Sequence, residues 1–146
     1  VKAVIQRVLS ASVSINGNDI SVINHGLLVL LGVEKDDGPA DLNYMVQKTV
    51  GLRVFKDNKN NMNLSLQDVC GEALVISQFT LCADTRKGRR PNFINAAPPK
   101  IAEKIYLQYC EKLRKENISV KTGRFGSTME VNLKNDGPVT IILNGR

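Results

Sequence analysis

The chain has 146 residues, of which 42% are apolar and 23% charged, and its formal net charge is +6. This fits one domain over residues 1–146 with a sizeable core; it excludes a disordered tail and a bundle of transmembrane helices, since no run approaches the ~18 uncharged apolar residues that a membrane span needs. Charge is uneven, with 7 Lys+Arg against 9 Asp+Glu in residues 1–85 and 13 against 5 in residues 86–146, so the second half suits either a polyanionic partner or a solvated basic face.

In chain order, residues 2–8 read as a short strand, and Lys2 and Arg7 interrupt the only apolar run near the N-terminus, so no secretory signal is expected. Residues 11–15 alternate, with Ala11, Val13 and Ile15 on one face, and Asn16-Gly17 predicts a hairpin turn into a strand over 19–23. After a turn at His25-Gly26, residues 27–33 are apolar on both faces, which predicts a central strand. Pro39 opens a helix whose inner face is Leu42, Met45, Val46, Thr49 and Val50. Residues 56–63 form a polar loop, and residues 73–81 a second buried strand that ends in a polar step.

Residues 82–99 carry no period. Pro98-Pro99 then opens a helix over about 100–116, with Ile101, Ile105, Tyr109 and Leu113 as its buried stripe and Ala102 and Tyr106 beside it. A short strand is expected over 118–121, and an alternating one over 128–134 with Met129, Val131 and Leu133 on one face. Asn135-Asp136-Gly137-Pro138 predicts a chain reversal into a last strand over 139–143. Strands outnumber helices without regular alternation, which predicts an α+β fold with an antiparallel or mixed sheet covered by two main helices.

Much familiar chemistry is missing. Cys70, Cys82 and Cys110 form neither a CxxC pair nor an even disulfide set, which predicts a reduced, cytoplasmic setting and no metal site. The single histidine, His25, would have to serve any Ser-His or Cys-His machinery, but it falls in a predicted turn, where an exposed and inactive histidine is the plainer reading. Neither GxGxxG nor GxxxxGK[ST] occurs.

Two segments stand out. In Ser77-Gln78-Phe79-Thr80-Leu81, polar groups follow an apolar strand; they mark either a pocket or a strand passing into a loop, because burying them without partners costs free energy. In Asn135-Asp136-Gly137-Pro138-Val139-Thr140, a Gly-Pro pair lies between two strands, where it can be no more than a turn.

These segments carry a resemblance to the D-aminoacyl-tRNA deacylases, known earlier as D-tyrosyl-tRNA deacylases. It runs along essentially the whole chain, through IQRVLSASV (5–13), GLLVLLGVEKDD (26–37), SQFTLCADTRKGRRPNF (77–93), TGRFGSTMEV (122–131) and NDGPVT (135–140). SQFTL and NDGPVT, in this order and some 60 residues apart, are its most specific part.

The resemblance implies a homodimer with a barrel-like fold, no cofactor, and hydrolysis of the ester that joins a D-amino acid, or mischarged glycine, to the terminal adenosine of tRNA. It assigns the hydrolytic site to Ser77, Gln78, Phe79 and Thr80. It assigns rejection of L-amino acids to a cis Gly137-Pro138 pair that reaches into the partner's pocket. Arg7, within QRV, is the candidate that holds the Gly-Pro loop, against the alternative of an ordinary surface arginine. Arg86, Lys87, Arg89 and Arg90 are expected on the acceptor-stem phosphates. The alternatives are an RNA-binding module without activity, an esterase of small D-amino-acid esters, and a deacylase of L-mischarged tRNA.

Overall fold

Strand β1 (Lys2–Ile15) organises the domain because it pairs along both edges. The computed structural model describes residues 1–145. On one edge of β1, residues 2–8 pair antiparallel with β3 (Gly26–Gly32) and residues 11–15 with β2 (Asn18–Ile23). On the other edge lies β8 (Glu130–Asn144), antiparallel from Lys2↔Asn144 to Ser14↔Glu130. The sequence predicts two strands where β1 is one; the registers slip near Arg7 and Leu9 instead of breaking, and such irregularities let one strand bend from one pairing partner to the next.

The sheet continues from β3 to β6 (Glu72–Ser77) and then β7 (Ser119–Thr122), both steps parallel, so the sheet is mixed. As the two-sided apolar pattern predicts, β3 is central, with Leu27, Leu28, Val29 and Leu31 buried. The sheet curls until its ends meet: Ser21 Oγ on β2 donates to the Thr122 carbonyl at 2.6 Å, and Lys121 Nζ on β7 donates to the Val22 carbonyl at 2.7 Å. Side chains rather than a backbone ladder thus join the last two strands of a nearly closed barrel. A small hairpin, β4 (Phe55–Lys56) with β5 (Met62–Leu64), occupies the segment expected to be only loop.

Helices α1 (Pro39–Gly51) and α2 (Pro99–Lys115) cover one face of the sheet. Their inner stripes meet Ala3, Ile5, Val29 and Val75 in the larger core. A second cluster, including Val8, Val13, Leu28, Leu74 and Ile76, fills the barrel side. Two buried polar contacts tie these layers: between the helices Thr49 Oγ1 lies 2.7 Å from Tyr109 Oη, and from helix to sheet Tyr106 Oη donates to the Val75 carbonyl at 2.9 Å. Each pairing avoids the ~1–3 kcal/mol cost of an orphaned buried polar group.

Ile101 corrects the predicted stripe. It is half exposed, whereas Ala102, Ile105, Tyr106, Tyr109, Cys110 and Leu113 are buried. The buried set repeats at three- and four-residue steps from Ala102, and Ile101 lies about 100° round the helix from that start. No helix among the described residues is long and apolar enough to cross a membrane.

Candidate functional site

Strand β6 ends at Ser77, four residues earlier than the hydropathy predicts. The backbone N–H of Gln78 still donates to the Leu31 carbonyl at 2.8 Å, and the chain then tightens into a 3-10 turn over Phe79–Cys82. The turn is closed by Leu81 N–H to Gln78 O at 3.2 Å and Ala83 N–H to Thr80 O at 3.2 Å. Its first two N–H groups, those of Phe79 and Thr80, have no acceptor within the turn, as for any helix start. Gln78 Nε2 donates to Thr80 Oγ1, and both Phe79 and Thr80 are exposed. The polar step therefore reaches the surface and presents two backbone donors and a fixed hydroxyl.

The second segment does not reverse the chain. Strand β8 is continuous from Glu130 to Asn144, and the predicted turn is an excursion within it. Gln6 pairs with Thr140 and Val8 with Asn135, so residues 136–139 bulge out opposite Arg7 alone. Leu133, expected on the buried face, is correspondingly half exposed on this outer strand. The Gly137–Pro138 peptide bond is cis, as the resemblance implies, and both residues are exposed.

The foot of the bulge is tightly held. Arg7 is 2% exposed, which removes the reading of an ordinary surface arginine. Its Nε donates to the Asp136 carbonyl at 3.0 Å and lies 3.2 Å from Asp136 Oδ2, while NH1 donates to the Val54 carbonyl at 2.5 Å. Asn135 Nδ2 spans the gap, donating to the carbonyls of Arg7 at 3.0 Å and Val139 at 2.9 Å. Position 137 has φ +141°, and a Cβ there would stand 2.9 Å from Arg7 NH2 and 2.8 Å from Val139 Cγ2, so glycine is required.

Asn135, Asp136 and Val54 are the positioning groups that the sequence reading missed. The first two were visible only as turn formers, and a backbone carbonyl leaves no sequence signal. His25 is half exposed, edge-on to Phe55 at 5.1 Å, with Nε2 4.0 Å from Asp136 Oδ2. It flanks the bulge and has no serine or cysteine partner in the observed contacts.

Within one chain the two segments stay apart. Ser77 aligns with Leu31 and hence with Ala3, whereas the bulge faces Arg7. Four residues along β1 are about 13 Å, and three strand spacings across β8, β1, β3 and β6 are about 14 Å.

The basic residues occupy one loop, closed at its base by the Asp84–Asn92 pair through N–H···O bonds of 2.7 and 3.0 Å. Arg86 is engaged within it: Nε and NH2 donate to the two Asp84 carboxylate oxygens at 2.9 and 2.6 Å. These hydrogen bonds hold the Asp84 carboxyl well below the usual carboxylate range and raise the arginine's own value. Lys87, Arg89 and Arg90 are exposed, with no ion-pair partner among the described residues. The loop thus offers three free cations, not four. Among the described residues, no group of three or more His, Cys, Asp and Glu side chains comes together.

Known proteins resemble this chain in sequence and in fold. A D-aminoacyl-tRNA deacylase of Thermosipho melanesiensis is 54% identical over 146 residues, covering 99% of this chain and 97% of that protein. A solved structure of a c-Myc DNA unwinding element binding protein superposes with a TM-score of 0.95 at 43% identity, covering 100% of this chain and 99% of the other. A structure of a probable eukaryotic D-amino acid tRNA deacylase shares the fold, with a TM-score of 0.79 at 17% identity over 97% of each chain. The family described as D-Tyr-tRNA(Tyr) deacylase matches residues 4–144, and the chain belongs to that family.

Proposed function

We propose that this protein is a hydrolase that cleaves the ester joining a D-amino acid, or mischarged glycine, to the 3′ adenosine of tRNA in the cytoplasm, and spares L-aminoacyl esters. The observation that carries the reading is the pairing of two built segments in one family member: the Ser77–Leu81 turn with its free N–H groups, and the Arg7-anchored Gly137-Pro138 bulge.

The chemistry asked of the protein is modest. Water adds to the ester carbonyl, the bond to the ribose oxygen breaks, and the amino acid leaves as its carboxylate while the ribose hydroxyl is restored. An aminoacyl ester is already activated, and the neighbouring ribose hydroxyl orients the water. The N–H groups of Phe79 and Thr80 stabilise the developing oxyanion. Ser77, Gln78 and the Thr80 hydroxyl shape this pocket. Among the described residues no general base touches Thr80, whose hydroxyl partner is the Gln78 amide.

Selection against L-amino acids is steric. With the α-amino group held by carbonyl oxygens of Gly137 and Pro138, the side chain of a D-amino acid points outward and that of an L-amino acid points into the wall. Glycine, which has no side chain, is admitted. Since the two segments are separated within one chain, the bulge serves the pocket of a second copy, and the working unit is a homodimer. The exposed outer edge of β8, with Ile142 70% exposed, suits such a contact. Lys87, Arg89 and Arg90 meet phosphates at the acceptor end of the tRNA without reading sequence.

Replacing Thr80 by Ala tests the chemical half of this reading. Single-turnover hydrolysis of D-tyrosyl-tRNA is expected to fall less than about ten-fold. Abolished hydrolysis with unchanged tRNA binding would make the hydroxyl the nucleophile and refute the RNA-assisted route.

A further inference from the structure

Phe79 is 56% exposed, although its backbone belongs to the proposed pocket, and its ring packs edge-on to Phe93 at 5.0 Å and 63°. Ile94, the next residue, is 69% exposed. Phe93 and the free cations belong to one continuous segment. The Asp84–Asn92 pair closes the base of the loop directly before Phe93, and Lys87, Arg89 and Arg90 form its tip. The Phe93 carbonyl accepts from Ala96 N–H at 3.0 Å, and Ile94 N–H donates to Asn92 Oδ1 at 2.9 Å, so the ring stands on a braced support. An exposed ring backed by a half-buried one, in a segment that also carries unpaired cations, is the composition of a single-strand nucleic-acid platform, where bases stack on rings and cations follow the phosphates.

We infer that Phe79, buttressed by Phe93, is the stacking platform for the unpaired nucleotides that precede the terminal adenosine, with Lys87, Arg89 and Arg90 on their phosphates. This rests on the deacylase reading, which puts the ester against the Phe79 and Thr80 backbone. The nucleotides leading away from it must then cross the nearest surface. Stacking tolerates any base, and the unpaired CCA end is common to all tRNAs, so the platform helps recognition without choosing among them. It separates the role of the Phe79 ring from that of its N–H group and gives Phe93 a positioning role.

The test compares D-tyrosyl-tRNA with D-tyrosyl-adenosine, which lacks the preceding nucleotides. Phe93→Ala is expected to raise KM for the tRNA about five-fold or more, the lower end of base–aromatic stacking, and to leave kcat within about two-fold. KM for D-tyrosyl-adenosine stays unchanged, Phe93→Tyr restores KM for the tRNA, and Phe93→Leu serves if the smaller side chain unfolds the loop. In parallel, uncharged tRNA with pyrrolocytidine next to the terminal adenosine loses fluorescence on binding wild type and less on binding Phe79→Leu.

Equal KM shifts on both substrates, no shift on either, or quenching that Phe79→Leu leaves intact would overturn the platform. A change of oligomeric state on Phe93→Ala, with equal KM shifts, would assign the patch to a second copy instead. If wild type hydrolyses neither ester yet the quenching depends on Phe79, the deacylase reading fails and the platform stands.

Discussion

Arg7 donates from Nε to the backbone carbonyl of Asp136 at 3.0 Å, so a buried cation in the first strand fixes the foot of the exposed Gly-Pro bulge in the last. Removing it would leave the carbonyls of Val54 and Asp136 without their charged donor. Arg7→Ala should cost about 3 kcal/mol in denaturant unfolding, the range for losing one partner of a buried charged network. Arg7→Lys should recover only part of this, because one ammonium lacks the guanidinium fork that reaches both sites. Both variants should lose D-tyrosyl-tRNA hydrolysis under conditions where they remain folded.

The separation of the two segments predicts complementation between copies. Gly137→Ala brings a Cβ into Arg7 NH2 and Val139 Cγ2 and disables the bulge. Thr80→Pro removes one of the two backbone donors of the pocket. Each variant alone should be inactive. Co-refolded in equal amounts, half of the dimers are mixed, and each mixed dimer holds one intact composite site. Activity should therefore return to about a quarter of wild type. No recovery in a mixture shown to contain mixed dimers would place the whole site within one chain.

For RNA affinity, the basic loop is not uniform. Lys87→Glu combined with Arg89→Glu should raise KM for D-tyrosyl-tRNA and flatten its salt dependence, by about 0.7 in log–log slope per lost single-strand phosphate contact. Arg86→Ala should raise KM less, because its guanidinium is already occupied by Asp84. The Asp84 carboxyl lies below its ordinary value of 3.8, so the pair holds the loop above that pH and releases it only as pH falls through the lowered value. The Arg86→Ala effect should thus be constant between about pH 5 and 9, checked by KM across that range.

How much of this was legible in the sequence follows from which interactions are local. The helices, the central strand β3 and the early Asn16-Gly17 hairpin follow from period and turn chemistry, which a single chain segment carries. The bulge in β8 was misread as a reversal because Asn-Asp-Gly-Pro signals a turn wherever it occurs. Only pairing with β1 on both sides of the excursion, Val8 with Asn135 and Gln6 with Thr140, keeps the strand continuous, and these partners lie at opposite ends of the sequence. The early end of β6 was hidden because Phe79 and Leu81 are apolar, although Phe79 faces outward. Arg7 could not be distinguished from a surface arginine, since its partners are mainly backbone carbonyls. The motifs themselves were legible as a resemblance; their separation by three strand spacings across one sheet was not.

The most direct test of the account charges one tRNA separately with D-tyrosine and with L-tyrosine and follows both esters with and without the protein. The account predicts rapid loss of the D ester, with the L ester decaying only at its spontaneous rate. Cleavage of the L ester at a comparable rate would contradict steric selection by Gly137-Pro138, and cleavage of neither ester despite tight tRNA binding would contradict the enzyme reading itself.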